Sequence, residues 1–556
     1  MSNGATALVK TLVNAGITTC FSNPGTSEMH FVAALDSAPA MRAVLCLFEG
    51  VATGAADGYS RMADKPAATL LHLGCGLGNG LANLHNARKG KVPVVNIVGD
   101  HATYHTVFDA QLQSDIETVA RNVSPGFVRT SKATAELGRD TAQAVAAAKG
   151  LPGQVATLIL PADVSWGEGG VPAAPLAAVA PESADDATVA AIAQAINEAG
   201  RSGGKAALLL GGRALREPSL LAAARIAARS GVKVLAEVFP TRLERGAGVP
   251  AVERIAYLAE LAGVQLAEIQ HLILVDAKAP VSFFAYPGKK SYLVPDTCTV
   301  HTLATPLQDT VGSLNKLARA LGAENTAPVL APAVRPGRPK GKLTAEKVCK
   351  AVGHLLPENA ILIDEAITSG LMLGAMTAGA PRHDFITLTG GAIGQGLPNA
   401  IGAAIACPNR PVLALIGDGT AMYTIQSLWT MAREKLNVTS IIFNNASYSV
   451  LNVELERVGA EEAGPKAKAQ LDLNGPVLNF AQLGQGMGVH AVRATTTEAF
   501  VQALEHALAT PGPHLIEVVV PQALSGVKRK ILPWLLRSLP NLPQPVARAL
   551  KRKIAP

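Results

Sequence analysis

At 556 residues the chain exceeds what one hydrophobic core supports, and about 150 residues per domain gives three or four domains. Apolar residues make up 49% and charged residues only 16%, which excludes a disordered chain, and there is no run of eighteen or more uncharged apolar residues to cross a membrane. The net charge of +7 does not signal nucleic acid: eight basic and no acidic residues lie between Lys528 and Lys553, leaving 41 basic against 42 acidic residues elsewhere. Six scattered cysteines with no CxxC pair, and a helical pattern over Ala5–Ala15 in place of a leader, predict free thiols and a cytoplasmic protein.

Taken in chain order, short apolar runs alternate with helical stretches in three blocks, the pattern of parallel sheets covered by helices. The first block, residues 1–168, has strand-like runs at Ala43–Leu47, Ala67–Leu71, Val92–Val98 and Val155–Ile159. A Pro/Ala-rich linker, Gly169–Ala184, leads to the second block, 186–325, with runs at Ala206–Leu210, Val232–Ala236 and Leu272–Val275. A second linker, Thr326–Lys342, precedes the third block, 343–525, with runs at Ala360–Ile363, Val412–Ile416, Thr439–Phe443 and Leu515–Val520. Residues 526–556 form a basic tail. The expected fold is α/β, with three doubly wound parallel-sheet domains and this tail.

The sharpest local signal lies in the third block. An apolar strand ends in Gly417-Asp418-Gly419-Thr420, a helical pattern follows over Met422–Glu434, and the next strand ends in Asn444-Asn445-Ala446-Ser447-Tyr448. Neighbouring strand ends on one edge of a parallel sheet form a ligand crevice. Asp418, Asn445 and a carbonyl near Ser447 offer hard oxygen ligands, and Mg²⁺ takes few of these from protein and the rest from phosphate and water. Gly417 and Gly419 permit close backbone approach, and the helix N-terminus that follows favours negative charge.

This GDG-to-NN arrangement resembles the cofactor signature of the thiamine-diphosphate enzymes of the acetolactate synthase, benzoylformate decarboxylase and pyruvate decarboxylase superfamily. The likeness continues in Tyr423–Thr430, in Gly390–Pro398 and in Asp364–Ser369. It implies thiamine diphosphate and Mg²⁺ as cofactors, with Asp418, Asn445 and Ser447 at the metal and Thr420 and Tyr448 beside the diphosphate. It also implies that the Gly391 carbonyl accepts from the aminopyrimidine, that Ile393 wedges the two rings into a bent shape, and that Thr368 touches the phosphate.

The first block resembles the other half of such a site. Glu49 follows an apolar strand and precedes a small-residue helix ending in Ala56-Asp57-Gly58-Tyr59-Ser60-Arg61, like the family glutamate that binds the pyrimidine ring and promotes loss of the thiazolium proton. A carboxylate at the end of such a strand is costly to bury without a purpose; the structural alternatives are a helix cap or a salt bridge. Phe21–Glu28 resembles the first strand-to-helix loop of benzoylformate decarboxylase. That likeness puts Asn23, Pro24 and Gly25 at the cofactor and Thr26 facing substrate. His72 falls at that enzyme's active-site histidine, where an imidazole relays protons. Tyr104-His105-Thr106 resembles the histidine segment of pyruvate decarboxylases, with a solvated loop holding His101 and His105 as the alternative.

The resemblance covers roughly residues 1–521 and implies a homodimer or homotetramer with the site between subunits. The second histidine of benzoylformate decarboxylase has no counterpart in Ala279–Lys289, and Leu451–Arg457 matches no relative closely. Leu210-Gly211-Gly212-Arg213 lacks GxGxxG spacing, which argues against FAD. The implied reaction is decarboxylation of a 2-oxo acid, with protonation to an aldehyde or capture by an aldehyde or second 2-oxo acid. Alternatives are a lyase of 2-hydroxyacyl thioesters or acyloins, a silent partner subunit, or a scaffold recruited to a membrane surface through residues 527–553, where basic residues accompany Trp534 and leucines. The same tail reads equally as a lid or a packed extension.

Overall fold

The apolar runs become three helix-covered sheets, one per block. The computed structural model describes residues 2–201, 203–460 and 463–522 and, of the tail, residues 532, 534–536, 538, 539 and 542–554. The expected boundary at 525/526, and Lys528, Arg529, Lys530 and Arg537, lie outside the described residues.

The first sheet contains β1 (Thr19–Asn23), β2 (Arg42–Leu45), β3 (Ala67–Leu71), β4 (Val94–Asp100), β5 (Val128–Thr130) and β6 (Val155–Pro161), ordered β2-β1-β3-β4-β6-β5 and parallel throughout. The second contains β7 (Lys205–Leu210), β8 (Lys233–Ala236), β10 (Glu253–Arg254), β11 (Ile269–Val275) and β12 (Thr299–Ala304), ordered β10-β8-β7-β11-β12. Between them in sequence, β9 (Leu243–Arg245) leaves its block and joins the third sheet. That sheet adds β13 (Ala360–Glu365), β14 (His383–Thr387), β15 (Val412–Gly417), β16 (Val438–Asn444), β17 (His490–Ala494) and β18 (His514–Val519), in the order β17-β18-β16-β15-β13-β14-β9. The β9–β14 pair is antiparallel, so the third sheet is mixed and the middle block is stitched to it. Strands β3, β4 and β6 are buried almost end to end, as expected where helices cover both faces.

The first and third blocks meet along two helices, Glu49–Ala63 and Gly396–Ala406. Their small residues let the backbones touch: a Cβ on Gly402 would stand 1.9 Å from the Ala55 carbonyl oxygen, and one on Gly58 2.2 Å from that of Asn399. Into this contact is set a fully buried ion pair, Arg61 Nε to Asp57 Oδ1 at 2.7 Å, both side chains 0% exposed. Gln395 and Asn399 donate to the other Asp57 oxygen. Arg61 donates onward to the carbonyls of Thr387 and Thr241 and to Thr389 Oγ1. Beyond Asp57, the guanidinium thus donates to the second block at Thr241 and to the third at Thr387 and Thr389.

The described part of the tail packs on the middle block. Leu532, Leu536, Leu539 and Ala547 are buried against Leu261, Val264 and Val453. Lys551 pairs with Glu253 at 2.8 Å and Arg548 with Glu268 at 2.6 Å. The leucines and two of the cations assigned to a lipid surface thus have partners within the protein, which favours the packed extension. Trp534 stays exposed. Among the described residues no helix is long and apolar enough to cross a membrane.

Asp57→Ala strands a buried guanidinium and is expected to cost about 3–5 kcal/mol in urea unfolding, whereas Asp57→Leu combined with Arg61→Met costs far less. A loss below about 1 kcal/mol for the single change would show that the pair does not hold the blocks together.

Candidate active site

Asp418 begins a helix of four residues, Asp418–Ala421, at the end of β15; a second helix, Ser427–Arg433, follows a turn, so the single helix expected over Met422–Glu434 is broken. The Asp418 carboxylate accepts from the backbone N–H of Gly419 at 2.8 Å, Asn445 at 2.9 Å and Ala446 at 2.6 Å, which ties the ends of β15 and β16 together. Asn445 Oδ1 accepts from Ser447 N–H at 3.0 Å, closing a turn in which Ala446 has φ +53°. Burial raises the Asp418 pKa against the pull of these N–H groups. A fixed carboxylate beside an amide oxygen is a hard-oxygen donor set that fits Mg²⁺ holding a diphosphate. Thr420 Oγ1 donates to the Gly417 carbonyl, and Ser447 Oγ to that of Leu471. A Cβ on Gly419 would meet the Tyr448 ring at 2.3 Å, whereas one on Gly417 would make ordinary contact, nearest Thr420 Oγ1 at 3.5 Å.

The Gly390–Gly394 segment is held from the first block. Along the Leu73–Lys89 helix, His85 reaches the Gly390 carbonyl, Asn86 pairs with both backbone groups of Ala392, and Asn83 bridges the carbonyls of Gly50 and Gly394. Glu365, at the end of β13, accepts from the N–H groups of Gly394, Gln395 and Gly396 at 2.7, 3.0 and 2.7 Å. Gly391 has φ +78°, and among the described residues its carbonyl accepts no hydrogen bond, which leaves it open to a ligand donor. Ile393 is half-buried beside it. The Phe283 ring lies over Gly391, where a Cβ would come within 2.5 Å, and joins Phe239, Tyr257 and Phe284 in an aromatic cluster. Thr368 is half-buried on the turn after β13, preceded by Ile367 at φ +49°.

Glu49 is the first residue of its helix; Phe48, not Glu49, holds the cap position, and β2 ends at Leu45. Glu49 is buried, at 7% exposure. Asn79 Nδ2 donates to Oε2 at 3.0 Å, and among the described residues Glu49 has no salt bridge and Oε1 has no donor. Gly76 leaves the room: a Cβ there would stand 3.2 Å from Oε1.

His72 precedes its helix, with Leu73 at φ +49°. Its Nδ1 lies 2.8 Å from Glu28 Oε2 and 3.3 Å from Ser27 Oγ, while Glu28, wholly buried, also accepts from Gly25 N–H at 2.7 Å and from Ser27 Oγ. Gly25 permits the stacking, since a Cβ would strike His72 Nδ1 at 2.3 Å. Asn23 closes β1, Pro24 and Gly25 turn the chain, and Thr26 is exposed at the start of a single 3₁₀ turn. His105 lies in an exposed loop, 5.3 Å from His101 ring to ring, and among the described residues it makes no hydrogen bond to His72 or Glu49.

Four residues that set this geometry carried no role in the sequence reasoning. Glu28 orients His72 and stands three positions after Gly25 in a capping-box spacing, which is a readable signal. Glu365 is a carboxylate ending an apolar strand, the same argument that singled out Glu49. Asn79 and Phe283 leave no local pattern. In the middle block the Gly212 and Arg213 N–H groups are given to the carboxylates of Glu237 and Asp276, so that turn spends on protein the donors a dinucleotide would use.

The thiamine pyrophosphate enzyme N-terminal TPP binding domain matches residues 2–120, and the C-terminal TPP binding domain matches 370–518. A provisionally named acetolactate synthase large subunit, IlvX, of Mycobacterium tuberculosis is 56% identical over 93% of this chain and 99% of its own. Benzoylformate decarboxylase of Pseudomonas aeruginosa is 29% identical over 90% of this chain and 96% of its own. The solved thiamine diphosphate-dependent 4-hydroxybenzoylformate decarboxylase of Rhodococcus jostii superposes with TM-score 0.79 over 94% of this chain and 99% of its own; at 23% identity this shows a shared fold.

Burial lifts Glu365 to about 7 from the usual 4.5, outweighing its three N–H partners. A carboxyl with a raised folded pKa favours the folded state while protonated. That contribution is complete below pH 4.5 and lost as pH rises through 7, on the order of 3 kcal/mol. Urea unfolding at pH 5 and pH 8 is expected to show the wild type losing about this much relative to Glu365→Gln; equal changes would mean that Glu365 is ionised throughout.

Proposed function

The chain belongs to the thiamine pyrophosphate enzymes, and on that basis we propose that it decarboxylates 2-oxo acids with thiamine diphosphate and Mg²⁺. The observation that carries the reading is Glu49: a buried carboxylate with one amide partner and one oxygen left over, at the start of a helix, has the chemistry to hold a proton shared with a pyrimidine nitrogen. A silent homologue has no use for such a costly group.

Thiamine diphosphate, when bound, supplies the nucleophilic carbon that attacks the ketone. The protein's part is placement and proton transfer. Asp418 and Asn445 hold the metal, the Gly391 carbonyl and Ile393 fix the ring geometry, and Glu365 with Asn83 and Asn86 holds that segment still. His72, gripped at Nδ1 by Glu28, keeps Nε2 for a proton donated to the substrate side, which favours release of an aldehyde. Phe283 and Phe284, in the segment where the resemblance finds no counterpart of the second histidine of benzoylformate decarboxylase, form an apolar wall with Phe239 and Tyr257, and this supports substrates with apolar or aromatic side chains. The 56% relative's name supports a second outcome, capture by another carbonyl to give an acyloin. We read the complete site as shared between two copies of the chain.

A panel of 2-oxo acids, with and without acceptor aldehydes, is expected to yield cofactor-dependent CO₂ and an aldehyde; acyloin as main product would select the second outcome, and no turnover with cofactor bound would overturn both. Glu49→Gln is expected to keep cofactor binding and lose far more than tenfold in turnover; a loss under tenfold, about 1.4 kcal/mol, would remove Glu49 from the chemistry. Asp418→Ala is expected to abolish Mg²⁺-dependent retention of thiamine diphosphate in equilibrium dialysis, and unchanged affinity would place the metal elsewhere.

A further inference from the structure

We propose that His490, His506 and His514 bind a divalent transition-metal ion of the zinc type, at the edge of the third sheet opposite the candidate active site. His490 opens β17 and His514 opens β18, while Asp418 and Asn445 follow the carboxyl ends of β15 and β16 in the same parallel run. His506 comes from the last turn of the Thr497–Ala509 helix, which packs on both strands.

The ligating nitrogens of the three rings lie within 4.8 Å of one another, and the ring centroids are 5.3, 5.3 and 5.7 Å apart. A tetrahedral zinc ion with Zn–N of about 2.0–2.1 Å needs nitrogens about 3.3 Å apart. His490 and His506 are exposed, so rotation of two surface side chains closes the difference. His514 is the fixed member: its Nε2–H donates to the Thr510 carbonyl at 2.7 Å, which sets the tautomer and leaves the Nδ1 lone pair for a metal. Among the described residues the ring nitrogens of His490 and His506 have no protein hydrogen-bond partner, so nothing in the fold accounts for three imidazoles converging there. Burial lowers the His514 pKa, and the two neighbouring histidines act in the same direction.

An all-imidazole donor set selects zinc, nickel or copper over Mg²⁺, which wants oxygen. The site is therefore chemically separate from the one at Asp418. Three protein ligands leave a position for water. Because β17 is an edge strand, the ion would clasp that edge and the helix end to β18, stabilising the third sheet without touching substrate.

The test uses the full-length protein with thiamine diphosphate and excess Mg²⁺, stripped with chelator and then titrated with Zn²⁺ alone. The readouts are zinc per chain after gel filtration and the thermal midpoint. One zinc per chain and a raised midpoint are expected. His490→Ala and His506→Ala are each expected to weaken binding about tenfold to a hundredfold, and the double variant to remove both the zinc and the shift, with decarboxylation in Mg²⁺ unchanged. Changing the His271–His301 pair of the middle sheet, 3.1 Å nitrogen to nitrogen, is expected to leave zinc binding intact. Equal zinc in the wild type and the double variant, or loss only on changing that pair, would overturn the site.

Discussion

The structure depends on a charge buried where two helices touch. Asp57 and Arg61 have no exposure, and their desolvation is tolerable only because Gln395, Asn399, Thr241, Thr387 and Thr389 complete their hydrogen bonds. Those partners come from the second and third blocks while the pair sits in the first, so it is satisfied only in one arrangement of the domains. The close approach of Gly58 and Gly402 permits this geometry, because a larger residue at either position would part the helices and strand the charges. Everything downstream follows: Glu49 starts the helix that carries Asp57, and the Gly391–Ile393 segment immediately precedes the helix that meets it.

With that frame fixed, the site's loops carry strain that an isolated loop would shed. Leu73 after His72, Ile367 before Thr368 and Ala446 between Asn445 and Ser447 all have positive φ, at about 1–3 kcal/mol each. A β-branched residue such as Ile367 is the severest of these. Each sits where the chain leaves a strand end, at the carboxyl edge where ligands bind open α/β sheets. The strain thus falls beside His72, Thr368 and Asn445, each at a strand end. Glu365 adds a second constraint of the same kind, anchoring three successive N–H groups.

Much of this was legible in the residues because parallel strands buried on both faces read as unbroken apolar runs: Ala67–Leu71 matches its strand end for end, and Val412–Ile416 differs by one residue. Among the strands that escaped notice are short or polar edge pieces, such as Val128–Thr130, Glu253–Arg254 and His490–Ala494, in which pairing rather than hydrophobicity fixes the conformation. Pattern also gave no hint of β9, whose three residues gain a partner only after the middle block has folded back on the third. At the site, residues with a spacing or strand-end rule were readable, Glu49, Asp418 and Asn445 among them. Residues acting through long-range contact, Asn79 and Phe283, were not, because nothing near them in sequence records what they meet.

The tail shows how composition misleads when geometry is missing. A basic, leucine-bearing segment has the chemistry of a membrane-surface helix, yet its described leucines find Leu261, Val264 and Val453, and two of its cations find Glu253 and Glu268. Lys551 and Lys233 together hold Glu253 down to about 2, so the carboxylate stays ionised through the neutral range, although burial alone would push it the other way. Val453 belongs to the Ser449–Arg457 helix, which follows directly on Asn445 and Tyr448. The tail therefore braces the helix that leads away from the Asn445–Tyr448 turn. Arg457 supports the other side, pairing with Glu260 at 3.1 Å and lying over the Tyr286 ring in the loop that carries Phe283. The same contacts that take the tail away from solvent thus hold the Ser449–Arg457 helix and the loop carrying Phe283 in place.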